Sequence, residues 1–377
     1  MTNLQQQVQQ LMDARVEAGT EDGMQVAVYR HGELLVDAVT GVADPATGRP
    51  VRPDTLFYAA SMGKAVAATV AHVLVERGVL DYDRPFVDLW PEFGAHGKGT
   101  ATLRHVLTHS VGLPAVPPDT TPERLCDWDA MCGTLAEAEP WWQPGERVGY
   151  QAQTYGFLVG EIVRRATGKR ISQVLAEEVA GPLGAGDELY FGVPASELPR
   201  VARLRDDPDG MAAFAQFAPQ LPLFTANPAA VTPNAAFANR GDVLSADIPS
   251  GATLTARALA RMYAALLDEV DGVRLVSPER LREITALATA GLQDEMTGGP
   301  ATYALGYTVG RPGTFAPEEQ PDLFGMVGIG VGAAFADRRT GVSVAVTRNR
   351  FNPVEMQAVE QVGELVATAL DNGGSPR

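Results

Sequence analysis

Lysine is scarce in this chain: of 30 basic residues in a length of 377, only those at positions 64, 98 and 169 are lysines. Cysteine is scarcer still, with Cys126 and Cys132 alone. Two thiols cannot build a disulfide framework, and no second pair completes a zinc site, so both read as space-filling side chains. No apolar run reaches the length that crosses a bilayer, and Met1-Thr2-Asn3-Leu4-Gln5-Gln6-Gln7 has neither a charged n-region nor an apolar h-region. The expectation is a cytoplasmic protein without a membrane partner. Positive charge is also lacking: the net charge is −16 and no basic stripe relieves it, which excludes ordinary binding to a nucleic-acid backbone. What is present, 45% apolar and 20% charged residues, is the composition of a globular protein, long enough for an α/β body with an inserted lobe.

Against that scarcity one spacing carries information. Ser61-Met62-Gly63-Lys64 places a serine three residues ahead of a lysine, which nine serines and three lysines would produce by chance only about 0.07 times per chain. A serine hydroxyl is a poor nucleophile until a neighbour takes its proton, and a lysine does so only where its surroundings hold its pKa down. If Ser61 opens a helix, Lys64 lies one turn along on the same face. The run Ala65 to Arg77 is apolar nearly all round, as in a helix buried inside a domain, and Gly78 is its expected end. The competing reading is a serine N-cap followed by a solvated lysine.

Around this motif the pattern is α/β at both ends. Residues up to about 22 show helical spacing, and Met24–Arg30 and Glu33–Val39 read as strands joined by a tight turn at His31-Gly32. From Asp81 to Ser250 the texture turns to short helices, prolines and loops, with helices expected over Thr102–His109 and Tyr155–Thr167. Asp206–Asp242 has no clear period and reads as a long loop or lid, its part from Ala212 to Phe237 placed to cover a site. A helix over Thr255–Leu267, strands at Tyr303–Val309, Phe324–Val331, Ala333–Asp337 and Val342–Arg348, and a last helix over Pro353–Leu370 complete the chain. This divides it into an α/β sheet domain of residues 1–80 plus 251–377 and a mostly helical lobe inserted at 81–250.

Three phrases occur in order: Ala60-Ser61-Met62-Gly63-Lys64, Leu103-Arg104-His105-Val106-Leu107-Thr108-His109-Ser110-Val111-Gly112-Leu113, and Gln143-Pro144-Gly145-Glu146-Arg147-Val148-Gly149-Tyr150. With them the chain, from about Met24 to Arg350, resembles the serine β-lactamase and penicillin-binding-protein superfamily, in its class C-like branch of esterases (family VIII carboxylesterases) and acyltransferases. The resemblance implies a β-lactamase-like α/β fold, a central antiparallel sheet flanked by helices with an inserted, mostly helical lobe. It implies Ser61 as nucleophile and Lys64 and Tyr150 as its proton relay, a phenol beside an ammonium losing its proton more readily so that Tyr150 acts as base and acid. The family's Tyr-x-Asn falls on Tyr150-Gln151-Ala152, so Ala152 removes an amide that Gln151 or Gln153 could replace. The third motif falls on Met326-Val327-Gly328-Ile329: Met326 stands where the family has a cation, and the Ile329 and Ser61 amides are the expected oxyanion hole. Met326, Gly328, Ala152 and Trp142 are the expected substrate contacts, although for Trp141 and Trp142 packing of the inserted lobe is the stronger reading. His105 and His109 share a helix face, yet no metalloprotease frame surrounds them, and neither metal nor cofactor is expected.

The implied chemistry is an acyl-enzyme at Ser61, formed from a small-molecule ester or thioester and passed to water, an alcohol or an amine. A covering segment would favour transfer. The alternatives are a β-lactamase or D-aminoacyl peptidase, and a non-catalytic binding protein of the same fold. Loss of two polar contacts disfavours β-lactams.

Overall fold

Two stretches far apart in the chain supply the strands of one sheet. The computed structural model describes residues 4–311 and 319–371. Near the amino end lie β1 (Gly23–Arg30), β2 (Glu33–Asp44) and β3 (Arg49–Pro50); near the other end lie β4 (Thr308–Val309), β5 (Leu323–Gly328), β6 (Gly332–Asp337) and β7 (Val342–Arg348). They form a seven-stranded sheet in the order β3-β2-β1-β7-β6-β5-β4, antiparallel throughout. The seam between the two stretches is β1 against β7, with Met24 opposite Arg348 and Val28 opposite Val344. At the β1–β2 turn, His31 and Gly32 take φ of 48° and 80°, the left-handed pair that matches the twist of a two-residue hairpin.

The sheet and site are framed by α1 (Leu4–Glu17), α2 (Met62–Glu76), α3 (Thr154–Thr167), α4 (Ala256–Leu267) and α5 (Gln357–Asp371). Strand alternation gives β1 two buried faces. Met24, Val26 and Val28 pack under α1 and α5 with Val8, Met12, Val362 and Val366. Ala27 and Tyr29 enter the main core, where α4 contributes Leu259, Met262, Tyr263 and Leu266, all on one helix face as the sequence predicts. Ser343 Oγ donates to the Ala260 carbonyl at 2.8 Å and ties β7 to α4. The same core continues through α2, buried from Met62 to Leu74, into Leu103, Val106 and Phe157 of the helical region.

Three local expectations change. Residues 206–242 are a string of short helices, among them Pro208–Phe217, Pro222–Thr225 and Ala235–Ala238, because prolines at 208, 222, 228 and 233 open or interrupt every stretch before a period can show. The expected strand at 303–309 shrinks to β4, since Gly306 turns at φ 84° where a Cβ would lie 2.3 Å from that of Ala68. The helix expected over 102–109 covers Leu103–Leu107, and His109 leaves it at φ 58°. Among the described residues no helix is long and apolar enough to cross a membrane.

Candidate active site

The chain reaches the site through Phe57–Tyr58, a short strand paired with Thr253–Leu254. Ala60 then takes φ 45°, a strained value for a residue with a Cβ, held by Met62 N and Gly63 N donating to the Ala59 and Ala60 carbonyls. The turn throws Ser61 to the start of α2. Its hydroxyl makes no capping bond; instead Oγ lies 3.0 Å from Lys64 Nζ. The N-cap reading of the motif therefore fails, and so does the solvated lysine: Lys64 is fully buried, and loss of solvation lowers its pKa to about 7.

What buries Lys64 is the segment Pro249–Ala252. Lys64 Nζ donates to the Ser250 carbonyl at 3.2 Å. That approach requires two glycines without side chains: a Cβ on Gly63 would lie 2.1 Å from the Gly251 carbonyl carbon, and one on Gly156 of α3 2.2 Å from Ser250 N. Ser250 Oγ in turn accepts from Gly156 N at 3.0 Å and donates to the Gln153 carbonyl at 2.5 Å.

Tyr150 completes the cluster, its phenol facing the Ser61 side chain and its ring centroid 5.0 Å from Lys64 Nζ. Burial pushes its phenol up to about 12, opposed by the Ser61 hydroxyl and reinforced by the Asp294 charge. Both shifts run against the expectation of a proton readily lost from Tyr150. At neutral pH the phenol keeps its proton and the amine of Lys64 is half free to take one.

Above Ser61 opens a cavity of about 260 Å³, lined by Ala152, Tyr150, Ile329 and Val327 on its lower side and by Leu223, Phe224, Val231 and Phe237 from the string of short helices. Among the described residues no lysine, arginine, aspartate or glutamate lines it. Ala152 and Ile329 lie where the sequence puts them. Met326 does not line the cavity: strand alternation turns it with Phe324 into the main core, 3% exposed, and brings Val327 round instead. Trp142 is also off the cavity wall, its ring against Gly149, where a Cβ would come within 2.5 Å of Cη2. Gly328 lies behind the site, where a Cβ would come within 2.4 Å of the Ala59 carbonyl oxygen, and this approach sets the end of β5 beside the start of α2. The amides of Ser61 and Ile329 donate to no backbone carbonyl among the described residues. Gln153 lines the cavity with its Nε2 donating to the Val231 carbonyl at 2.7 Å, whereas Gln151 is buried with its amide towards Thr154.

His105 and His109 have separate tasks. His105 Nδ1 accepts from Thr102 N at 3.2 Å and closes a capping box. His109, driven down to a pKa of about 3 mainly by burial, accepts from Gln151 N and stacks on Tyr150 with centroids 4.7 Å apart. Ser250, His109, Asp294 and Tyr303 are the neighbours that sequence reasoning missed, and only His109 lay within a phrase that pointed here.

Over most of its length the chain is similar to known proteins. The esterase/β-lactamase LipL of Mycobacterium tuberculosis is 35% identical over 343 residues, 87% of this chain and 77% of that protein. A crystal structure of a family VIII carboxylesterase superposes with a TM-score of 0.85 at 30% identity, covering 97% of both chains. A penicillin-binding-protein homologue from Caulobacter crescentus gives 0.81 at 33% identity over 98% of both. The family model described as Beta-lactamase matches residues 8–368, and the chain belongs to that family.

Proposed function

We propose that this protein is a serine carboxylesterase acting on uncharged esters with apolar acyl groups. The observation that carries the reading is a buried Lys64 amine 3.0 Å from Ser61 Oγ, beneath a cavity with no charged lining residue. Lys64 takes the Ser61 proton as Oγ bonds to the ester carbonyl carbon, and the resulting oxyanion accepts from the Ser61 and Ile329 amides at the α2 start, where the helix dipole also favours negative charge. The tetrahedral intermediate breaks its bond to the alkoxide, which leaves with the proton of Tyr150, and the Lys64 ammonium returns one to the phenolate. Water repeats the sequence in reverse and releases the acid. Esterase is named for the relative LipL, beside β-lactamase, and carboxylesterase alone for the family VIII structure, and it suits this cavity. A β-lactam, whose carboxylate needs a cation, finds none on the wall. The test is intact-mass spectrometry after a fluorophosphonate, with steady-state rates on p-nitrophenyl esters and on a chromogenic cephalosporin. A single adduct at Ser61 and ester turnover far above β-lactam turnover are expected; equal rates on both overturn the substrate assignment.

A second reading, transfer to an alcohol or amine, is favoured by the apolar roof at 222–237, which shields an acyl-enzyme from water. Partitioning measures it: decay of the acyl-enzyme in buffer that no added alcohol or amine accelerates leaves a plain esterase.

A further inference from the structure

We propose that Asp294 is a positioning residue for Tyr150, holding the tyrosine's backbone and, through its charge, keeping the phenol in its proton-donating form. This rests on the reading of Tyr150 as donor to the leaving group. Three successive amides around Tyr150 are gripped from outside its own segment. Gly149 N donates to the His109 carbonyl at 2.9 Å, Tyr150 N to Asp294 Oδ1 at 3.2 Å, and Gln151 N to His109 Nδ1 at 3.2 Å.

Asp294 is 1% exposed, and every partner it has here is neutral. Its Oδ1 also accepts from Met296 N at 2.8 Å and Thr297 N at 3.1 Å, and its Oδ2 from Tyr303 Oη at 2.5 Å. Tyr303 lies at 26° to the Tyr150 ring, centroids 6.2 Å apart, with His109 against both at 4.6 and 4.7 Å. One carboxylate thus ties the backbone of Tyr150 to the hydroxyl of the ring beside it. A buried carboxylate with no cation against it casts a field that solvent does not screen, and that field opposes a phenolate.

The other groups facing Tyr150 are Ser61 and Lys64 from α2, His109, Tyr155 from α3, and Tyr303. Burial keeps His109 neutral, and both tyrosines stay protonated, so Lys64 and Asp294 are the two charges that bear on the phenol. They act in opposite directions. Lys64 as ammonium would draw the proton off Tyr150, and Asp294 holds it on.

The experiment compares Asp294→Asn and Asp294→Ala in the wild-type and Tyr150→Phe backgrounds. It reads the ester kcat and KM, the fluorophosphonate labelling rate at Ser61, and the ionisation of Tyr150 by NMR of 13C-labelled tyrosine. Asparagine keeps the geometry, since Oδ1 still accepts from Tyr150 N and Nδ2 can donate to Tyr303 Oη. The expected result is a KM within about twofold of wild type, while Tyr150 ionisation and the alkaline limb of the rate profile both move to lower pH. Asp294→Ala is expected to lower kcat about 100-fold, and to lower it no further where Tyr150 is already phenylalanine. A Tyr150 titration that Asp294→Asn leaves in place overturns the charge role, and an alanine loss of equal size in both backgrounds overturns the positioning role. Should the alanine variant not fold, Asp294→Asn decides alone. If wild type neither labels at Ser61 nor turns over esters, the esterase reading fails, and the NMR titration still judges Asp294.

Discussion

Below Ser61, Lys64, Tyr150, His109 and Asp294 are buried or nearly so and bound to fixed partners; above it, residues 210–239 carry no charge at all and reach the cavity on short helical turns. The floor is tied by bonds between distant segments, such as Lys64 to Ser250 and Tyr150 to Asp294. The roof is tied to the body as well, among other bonds by Leu223 N to the Met296 carbonyl at 2.9 Å, Val116 N to Asn227 Oδ1 at 3.3 Å and Gln153 Nε2 to the Val231 carbonyl at 2.7 Å. Of its aromatic rings, Phe214 lies edge-on to Phe224 at 4.8 Å, Phe237 enters the main core, and Phe217 stays 47% exposed. Chemistry that moves protons over 3 Å needs a rigid floor, and selection of an apolar chain tolerates a softer roof.

The contrast predicts a gradient of effects. Ser61→Ala is expected to lower ester turnover by on the order of 10⁴-fold or more and abolish the fluorophosphonate adduct, with melting temperature nearly unchanged because the hydroxyl caps nothing. A labelled serine elsewhere in that variant moves the site. Lys64→Ala and Tyr150→Phe are each expected to cost about 10³-fold in acylation, and the double variant little more, because the two serve one proton relay. Additive losses in that cycle would separate them.

Titration sharpens the floor side. With Lys64 lowered to about 7, kcat/KM is expected to rise with pH through that value as the amine becomes free. The stability sign follows from the same shift. Between about 7 and the ordinary lysine range the unfolded chain binds a proton that the folded one does not, so stability rises with pH across that window. Lys64→Met should therefore melt above wild type by a margin that grows as pH falls towards 7 and levels off below it. A margin independent of pH would deny the burial cost.

Smaller effects separate the two regions directly. Gly63→Ala forces a methyl into the Gly251 backbone and is expected to destabilise by roughly 1 to 3 kcal/mol and to lower activity, read by thermal melts and ester kinetics. Phe224→Ala, in the roof, is expected to shift preference among acyl chain lengths by up to about tenfold, with little change at short chains. If it instead lowered all esters alike, the roof would belong with the catalytic floor.

Legibility in the sequence follows the same division. Ser61 and Lys64 could be read because one helical turn relates them, and Tyr150 because a run of eight residues led to it. The sheet could be read at β1, β2 and β7, where alternation is long enough to show. Met326 misled because a motif position does not say which way a strand residue points when both faces of the strand are buried. Trp142 could be read as a wall or as packing, and the packing reading is the one its burial against Gly149 supports. Asp294 and Tyr303 carry no local signal: their contacts with Tyr150 cross more than a hundred residues of chain. The roof defeated periodicity because its helices are as short as Pro222–Thr225.

The pairing of β1 with β7 also orders events in time. As the chain is made, the nucleophile and its lysine emerge early, yet β1 must wait roughly 300 residues for its partner, a separation that makes such closures slow. On the proposed mechanism, the Ile329 amide can serve Ser61 only once β5 has joined that sheet. A partly synthesised chain would hold a serine with no oxyanion partner, and hydrolytic activity would begin only once the late strands have joined.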